Sequence, residues 1–161
     1  AYEMCGRDWS SDVCSSDLIT AWVLSPQNLE RPREELDPYF DVLIELFDRL
    51  PALAERFDLR LRAIGRLDLL PGHLALAAKG LSEARPEGSA TLNIALSYGG
   101  REEIADAARS LVEDLVDSGV PAQDLAEHIT VSSLAEHMYS ADIPDADLLI
   151  RTSGESRLSG F

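Results

Sequence analysis

Positive charge is what this chain has least of. Among 161 residues there are 29 Asp or Glu against 14 Lys or Arg, giving a formal net charge of −15. Binding to nucleic acid or to an anionic membrane needs a basic face that displaces counterions, so neither is expected as a general partner. Lysine is nearly absent. Lys79 is the only one, so almost every cation is a guanidinium, and an anionic ligand would need a local group of arginines. Cysteine is scarce too: Cys5 and Cys14 both fall near the start, where a pair could be a disulfide or half a metal site. Neither a close CxxC nor a nearby His accompanies them, so no metal site is assigned. No apolar run approaches the ~18 residues that span a bilayer, and no charged-then-apolar beginning suggests a signal peptide, so the expected location is cytoplasmic.

What is present is ordinary for a globular chain, 45% hydrophobic and 27% charged, and suits one compact α/β or α+β domain. Residues 1–18 stand apart. They show no period of 2 or 3.6, repeat Ser-Ser-Asp, and resemble translated sequencing-adapter read-through, so the domain is expected to occupy 19–161. Ile19 to Leu24 reads as a buried parallel strand, and Ser25 to Pro32 as the loop at its carboxyl end. Arg33 to Phe57 carries Leu36, Tyr39, Phe40, Leu43, Ile44, Phe47 and Leu50 at helical spacing, with Pro51 as a point of kinking or division. Strands follow at Asp58 to Ile64, ended by Gly65, and at Thr91 to Ser97, with a helix over Pro71 to Ala84 between them. Helices are then expected over Glu102 to Asp117 and, as two short pieces, within Pro121 to Tyr139, before a last strand at Asp147 to Ile150. His73, His128 and His137 read as surface residues rather than metal ligands.

This alternation implies an α/β fold, a parallel sheet flanked by helices on both faces through right-handed crossovers. Ligands of such sheets sit beyond the strands' carboxyl ends. Three loops should meet there: one with Asn28 and Arg31, one with Gly99, Gly100 and Arg101, and one with Arg151, Arg157 and Ser159. Two arginines six positions apart, with hydroxyls and glycine between them, suit a dianionic oxygen cluster. Plainer readings stand beside this one. The last loop can be solvated surface, Asn28 a turn cap, the Gly-Gly pair a packing device, and the helical stripe plain core.

The segments LSPQNLERPREE (Leu24 to Glu35), TLNIALSYGGREEI (Thr91 to Ile104) and PDADLLIRTSGESRLSGF (Pro144 to Phe161) together resemble the cis-prenyltransferases, the undecaprenyl diphosphate synthase family. Leu29 and Gly160 look closer to short-chain actinobacterial Z-farnesyl diphosphate synthases. The resemblance implies a Rossmann-like fold, here incomplete, and condensation of isopentenyl diphosphate with an allylic diphosphate to a Z product. It implies that Arg151, Arg157, Leu158 and Ser159 bind isopentenyl diphosphate and that Asn28 belongs to the proton-removal apparatus. Ser25, Pro26, Gln27, Leu29 and Arg31 would line the cleft, Glu35 would orient the arginines, and Tyr39 to Phe47 would wall a hydrocarbon tunnel. Magnesium and a homodimer are implied as well, with membrane association only through the product. The family's phosphate-loop motif, H-x-x-M-D-G-N-x-R-W, does not occur, and its acidic metal ligand would follow Phe161; the chain as written is therefore expected not to turn over. The alternatives are a non-catalytic subunit of a heteromeric prenyltransferase and an unrelated phosphate-binding α/β module.

Overall fold

The computed structural model describes residues 17–151 of the chain. Three short strands with β-branched or aliphatic centres, β1 (Leu18–Trp22), β2 (Leu59–Ile64) and β3 (Ala90–Ala95), form a parallel sheet in the order β1-β3-β2. β3 is central because both its edges are paired: Thr20 lies opposite Asn93, and Asn93 opposite Arg62. The next residues along, Ala21, Ile94 and Ala63, are likewise in register. Since successive side chains alternate faces, one face carries Leu61, Leu92 and Ile94 while the other carries Thr20, Asn93 and Arg62. The two faces are thus chemically different, and each attracts different helices.

The apolar face is covered by α1 (Arg33–Arg56) and α2 (Gly72–Ala84). Leu36, Phe40, Leu43, Phe47 and Leu50 of α1 join Leu74, Ala78 and Leu81 of α2 in one buried cluster with Leu61, Ile94 and Leu96. The helical period read from the sequence therefore marks core. Of the stripe expected to wall a tunnel, Phe40, Leu43 and Phe47 are buried in this cluster, while Tyr39, Val42 and Leu46 are exposed. Pro51 does not divide α1, which passes unbroken through both Pro38 and Pro51. Leu50 and Ala54 continue the buried stripe of Leu43 and Phe47, so packing holds the turn whose hydrogen bond proline removes.

On the polar face Arg62 reaches the Tyr139 carbonyl and Asp142, and the chain there is tied to α3 (Gly100–Asp117), whose Ala107 and Leu111 are buried. Two short helices follow, α4 (Leu125–His128) and α5 (Val131–Glu136), and Thr130 caps the second by a reciprocal bond with Ser133. α5 is fastened to α3 by His137, whose Nε2 lies 3.1 Å from Asp114 and Nδ1 2.8 Å from the Ser133 carbonyl. The Ser133 carbonyl first and Asp114 second favour the imidazolium, raising the pKa of this histidine.

The last expected strand does not form. Residues 147–150 lie outside any ladder, and Leu148, Leu149 and Ile150 are 75%, 49% and 71% exposed. An apolar tetrapeptide becomes a strand only when a neighbour takes up its backbone groups, and in the described residues none lies beside it. What the sheet does supply is a carboxyl edge from which the loops after β1 and β3 emerge together.

Candidate functional site

The stretch after β1 is a 3-10 helix, Pro26–Glu30, rather than an open loop. Proline at its first position presets the backbone, and Ser25 caps it. The capping box is reciprocal: the Asn28 N–H donates to Ser25 Oγ at 3.2 Å, while Asn28 Oδ1 accepts from the Ser25 N–H at 2.9 Å and from Ser25 Oγ at 2.8 Å. The expected cap role of Asn28 is thus real, and it has a chemical consequence. With Oδ1 engaged twice, the amide offers a ligand its Nδ2 hydrogens, which have no partner among the described residues.

Asn28 also lines a cavity of about 330 Å³ together with Val23, Leu24, Arg31, Glu35, Leu36 and Tyr39. One side is apolar, built from the end of β1 and the first turns of α1. The cavity's polar lining is Asn28, Arg31 and Glu35. Tyr39 fixes the wall by donating to the Val23 carbonyl at 2.6 Å. Arg31 and Glu35 form an exposed i,i+4 pair at 3.8 Å, both side chains 60% exposed. Such a pair contributes little to stability, so the guanidinium can turn to a stronger anion at little cost. Ser25 is buried beneath the turn, Leu29 packs against the core, and Gln27 points away from the cavity to Glu102 at 2.8 Å.

The amino end of α3 answers the expected Gly-Gly anion site differently. Its first turn already has a carboxylate above it, since a Cβ on Gly99 would meet Glu102 Oε2 at 2.3 Å. Gly99 therefore makes room for Glu102, whose other oxygen holds Gln27. Arg101 is exposed and is absent from the cavity lining. The pairing of Glu102 with Gln27 joins this turn to the one after β1, which brings two of the three expected loops together. Of the third, Arg151 is described and half-buried, whereas Arg157, Leu158 and Ser159 lie outside the described residues.

A polar network beneath α3 was not legible from the sequence. Glu103 is fully buried; it accepts from Tyr98 Oη at 2.7 Å and from the Ser140 N–H and Oγ, each at 2.9 Å. One turn on, Asp106 accepts from Tyr139 Oη, from Arg66 at 2.9 Å and from Arg109. Those three donors, Tyr139 foremost, hold the Asp106 carboxyl below the usual carboxylate range. Burial, then the facing carboxylate, raises the phenols of Tyr98 and Tyr139, so both remain donors at any physiological pH. Arg66 also grips Asp68 at 2.8 and 2.9 Å, and Arg62 reaches Asp142 at 2.6 Å and the Tyr139 carbonyl at 3.2 Å. Glu103 reads in sequence as a first-turn acid favoured by the helix dipole, and nothing local distinguishes it from its half-buried neighbour Glu102.

Among the described residues no group of three or more His, Cys, Asp or Glu is placed to hold a metal. No described helix is long and apolar enough to cross a membrane.

The carboxyl edge of a parallel α/β sheet thus bears a cavity lined by apolar side chains together with Asn28 and the Arg31–Glu35 pair. Comparison with known proteins is more specific. Residues 10–161 match the prenyltransferase family model, described as that of undecaprenyl diphosphate synthases. The chain is 43% identical over 156 residues to a (2Z,6E)-farnesyl diphosphate synthase of Thermobifida fusca, covering 96% of this chain and 59% of that protein. It is 40% identical over 146 residues to isoprenyl transferase 1 of Corynebacterium diphtheriae, covering 90% of this chain and 54% of that one. In three dimensions it resembles the lavandulyl diphosphate synthase of Lavandula x intermedia, crystallised with dimethylallyl diphosphate, at a TM-score of 0.78 and 30% identity. That match covers 90% of this chain and 62% of the other. The chain belongs to the undecaprenyl diphosphate synthase family of prenyltransferases. It spans somewhat more than half the length of these relatives.

Proposed function

We propose that the protein containing this chain joins isopentenyl diphosphate to a short allylic diphosphate and releases a Z-configured, short-chain prenyl diphosphate. One observation carries this reading: one cavity is lined both by Leu24, Leu36 and Tyr39 and by the hydrogen-bond donors Asn28 and Arg31. A prenyl diphosphate has the same division, a hydrocarbon tail and an anionic head. The names of the relatives, isoprenyl transferase and Z-farnesyl diphosphate synthase, support the same chemistry.

In the reaction the isopentenyl double bond attacks the allylic carbon while the bond from that carbon to the diphosphate oxygen breaks. The diphosphate departs with the electron pair. The cation left on the isopentenyl portion then loses a proton, forming the new double bond. Arg31 neutralises charge on a diphosphate in the cavity, and Arg151, with Arg157 and Ser159, grips isopentenyl diphosphate. Asn28 cannot take the proton, because an amide is no base at neutral pH. Its Nδ2 instead holds a diphosphate oxygen or a water that receives it. Magnesium would offset charge on the departing diphosphate; among the described residues no group of three or more His, Cys, Asp or Glu is placed to hold it. A cytoplasmic homodimer, touching membrane only through its product, belongs to the same reading.

In the protein completed to the length of its relatives, Arg151→Ala should weaken isopentenyl diphosphate binding by about tenfold or more, measured by titration calorimetry. Binding of the allylic diphosphate should change far less. Equal losses for both ligands, or none for either, would remove Arg151 from the isopentenyl site.

A further inference from the structure

The turn after β3 meets the chain between Leu24 and Gln27 at three places. The Tyr98 N–H donates to the Leu24 carbonyl at 3.1 Å, just ahead of the 3-10 helix. Gly99 comes so near the first residue of that helix that a Cβ on it would lie 3.5 Å from Pro26 Cδ. At the second residue, Gln27 Nε2 donates to Glu102 Oε1 at 2.8 Å. Only this last link joins two side chains, and it ends on the residue next to Asn28.

We propose that Glu102 is a positioning residue: by accepting the Gln27 amide it holds the 3-10 helix at the angle that presents Asn28 to the cavity. The inference rests on the function proposed above, in which Asn28 Nδ2 acts during turnover. Glu102 has a firm base for the task. It stands in the first turn of α3 beside Glu103, which is fully buried and bonded to Tyr98 and Ser140. Its other oxygen occupies the space that a Cβ on Gly99 would need. Gln27 and Asn28 are consecutive in a helix of five residues, and Asn28 Oδ1 is already bonded to Ser25, so a shift of Gln27 is carried directly to the Asn28 amide. Glu102 does not line the cavity, and its effect on the site therefore passes through the turn. One partly exposed hydrogen bond is a modest tie, so its loss should cost less than the loss of Asn28 itself.

The test is made in the protein completed to the length of its relatives. It compares Glu102→Ala and Gln27→Ala, each of which cuts the tie, with Glu102→Gln, which removes the charge but keeps an acceptor oxygen. The Asn28 and Arg31 amide hydrogens, whose acceptors lie within the turn, should exchange about fivefold faster in both alanine variants, while amides of α1, α2 and β3 keep their protection. kcat should fall about tenfold in each, with KM for either diphosphate and the melting temperature little changed. The double alanine variant should be no slower than the slower single one, and Glu102→Gln should keep most of the rate. Unchanged exchange in both alanine variants overturns the tie, and faster exchange with unchanged kcat overturns the positioning role. A double variant whose loss is the product of the two single losses shows the residues acting separately, and a Glu102→Gln variant as slow as Glu102→Ala shows the charge acting rather than the bond; either overturns the proposal. If the unsubstituted protein performs no prenyl transfer, the positioning role falls with the functional reading, and exchange alone still decides the tie.

Discussion

Replacing Asn28 by alanine in the protein completed to its relatives' length should lower kcat by about a hundredfold or more, the usual loss when one donor to developing negative charge is removed. Alanine also strips the cap, leaving the Ser25 N–H and hydroxyl without their acceptor, at a cost of about 1 kcal/mol in stability. Aspartate separates the two effects. Its carboxylate can still accept both Ser25 bonds, so Asn28→Asp should melt close to the unsubstituted protein. It replaces the Nδ2 donor with a second acceptor and sets a negative charge against the diphosphate, so its turnover should be no better than that of alanine. If Asn28 only caps the 3-10 helix, aspartate will be active. Steady-state rates and melting temperatures for the two variants, measured side by side, decide between capping and catalysis.

Gly65→Ala should be strongly damaging to the described fold. The residue turns the chain out of β2 at φ +102°, a conformation that L side chains rarely adopt, and an added Cβ would stand 2.3 Å from the Leu96 carbonyl oxygen and 3.2 Å from Tyr98 Cβ. Neither neighbour can withdraw easily. The Leu96 N–H is bonded to the Ile64 carbonyl at 2.9 Å, and the Tyr98 N–H to the Leu24 carbonyl at 3.1 Å, so displacing them opens the sheet edge that carries the site. A loss of about 3 kcal/mol is expected, seen as a melting temperature lower by about 10 °C. Gly72→Ala is the contrast. Nothing lies within 4 Å of a Cβ there and the residue begins α2, so that variant should melt at or slightly above the parent temperature. Equal melting of the two variants would show that the crowding at Gly65 relaxes without cost.

Sequence pattern reveals what depends on neighbours a turn or a pleat away. The 3.6 period of α1 and the alternation of LRLRAI in β2 fixed both elements to within a residue or two, because burial on one face imposes those periods. The 3-10 turn at Pro26–Glu30 lay within a stretch that reads as loop, with only the capping role of Asn28 anticipated. What depends on distant partners was not visible. DLLI has the composition of a strand, yet composition cannot supply the neighbouring backbone that makes one, and Leu148 to Ile150 stay exposed. Glu103 and Asp106 meet Ser140 and Tyr139 across 37 and 33 residues, a separation at which no local pattern marks a pair. The cavity shows the mixed case. Asn28, Arg31 and Glu35 were chosen from one short stretch and do share a wall, whereas Arg101, chosen for its neighbouring glycines, does not.

The central claim, that this edge of the sheet serves Z-prenyl transfer, is tested most directly by product analysis. The protein completed to the length of its relatives would be given geranyl diphosphate, labelled isopentenyl diphosphate and magnesium, and the geometry of the new double bond read by NMR after removal of the diphosphate. The account predicts a short product whose added unit is Z, (2Z,6E)-farnesyl diphosphate foremost, formed with one diphosphate released per condensation. An E double bond, or no condensation by a folded protein that binds both substrates, would contradict it.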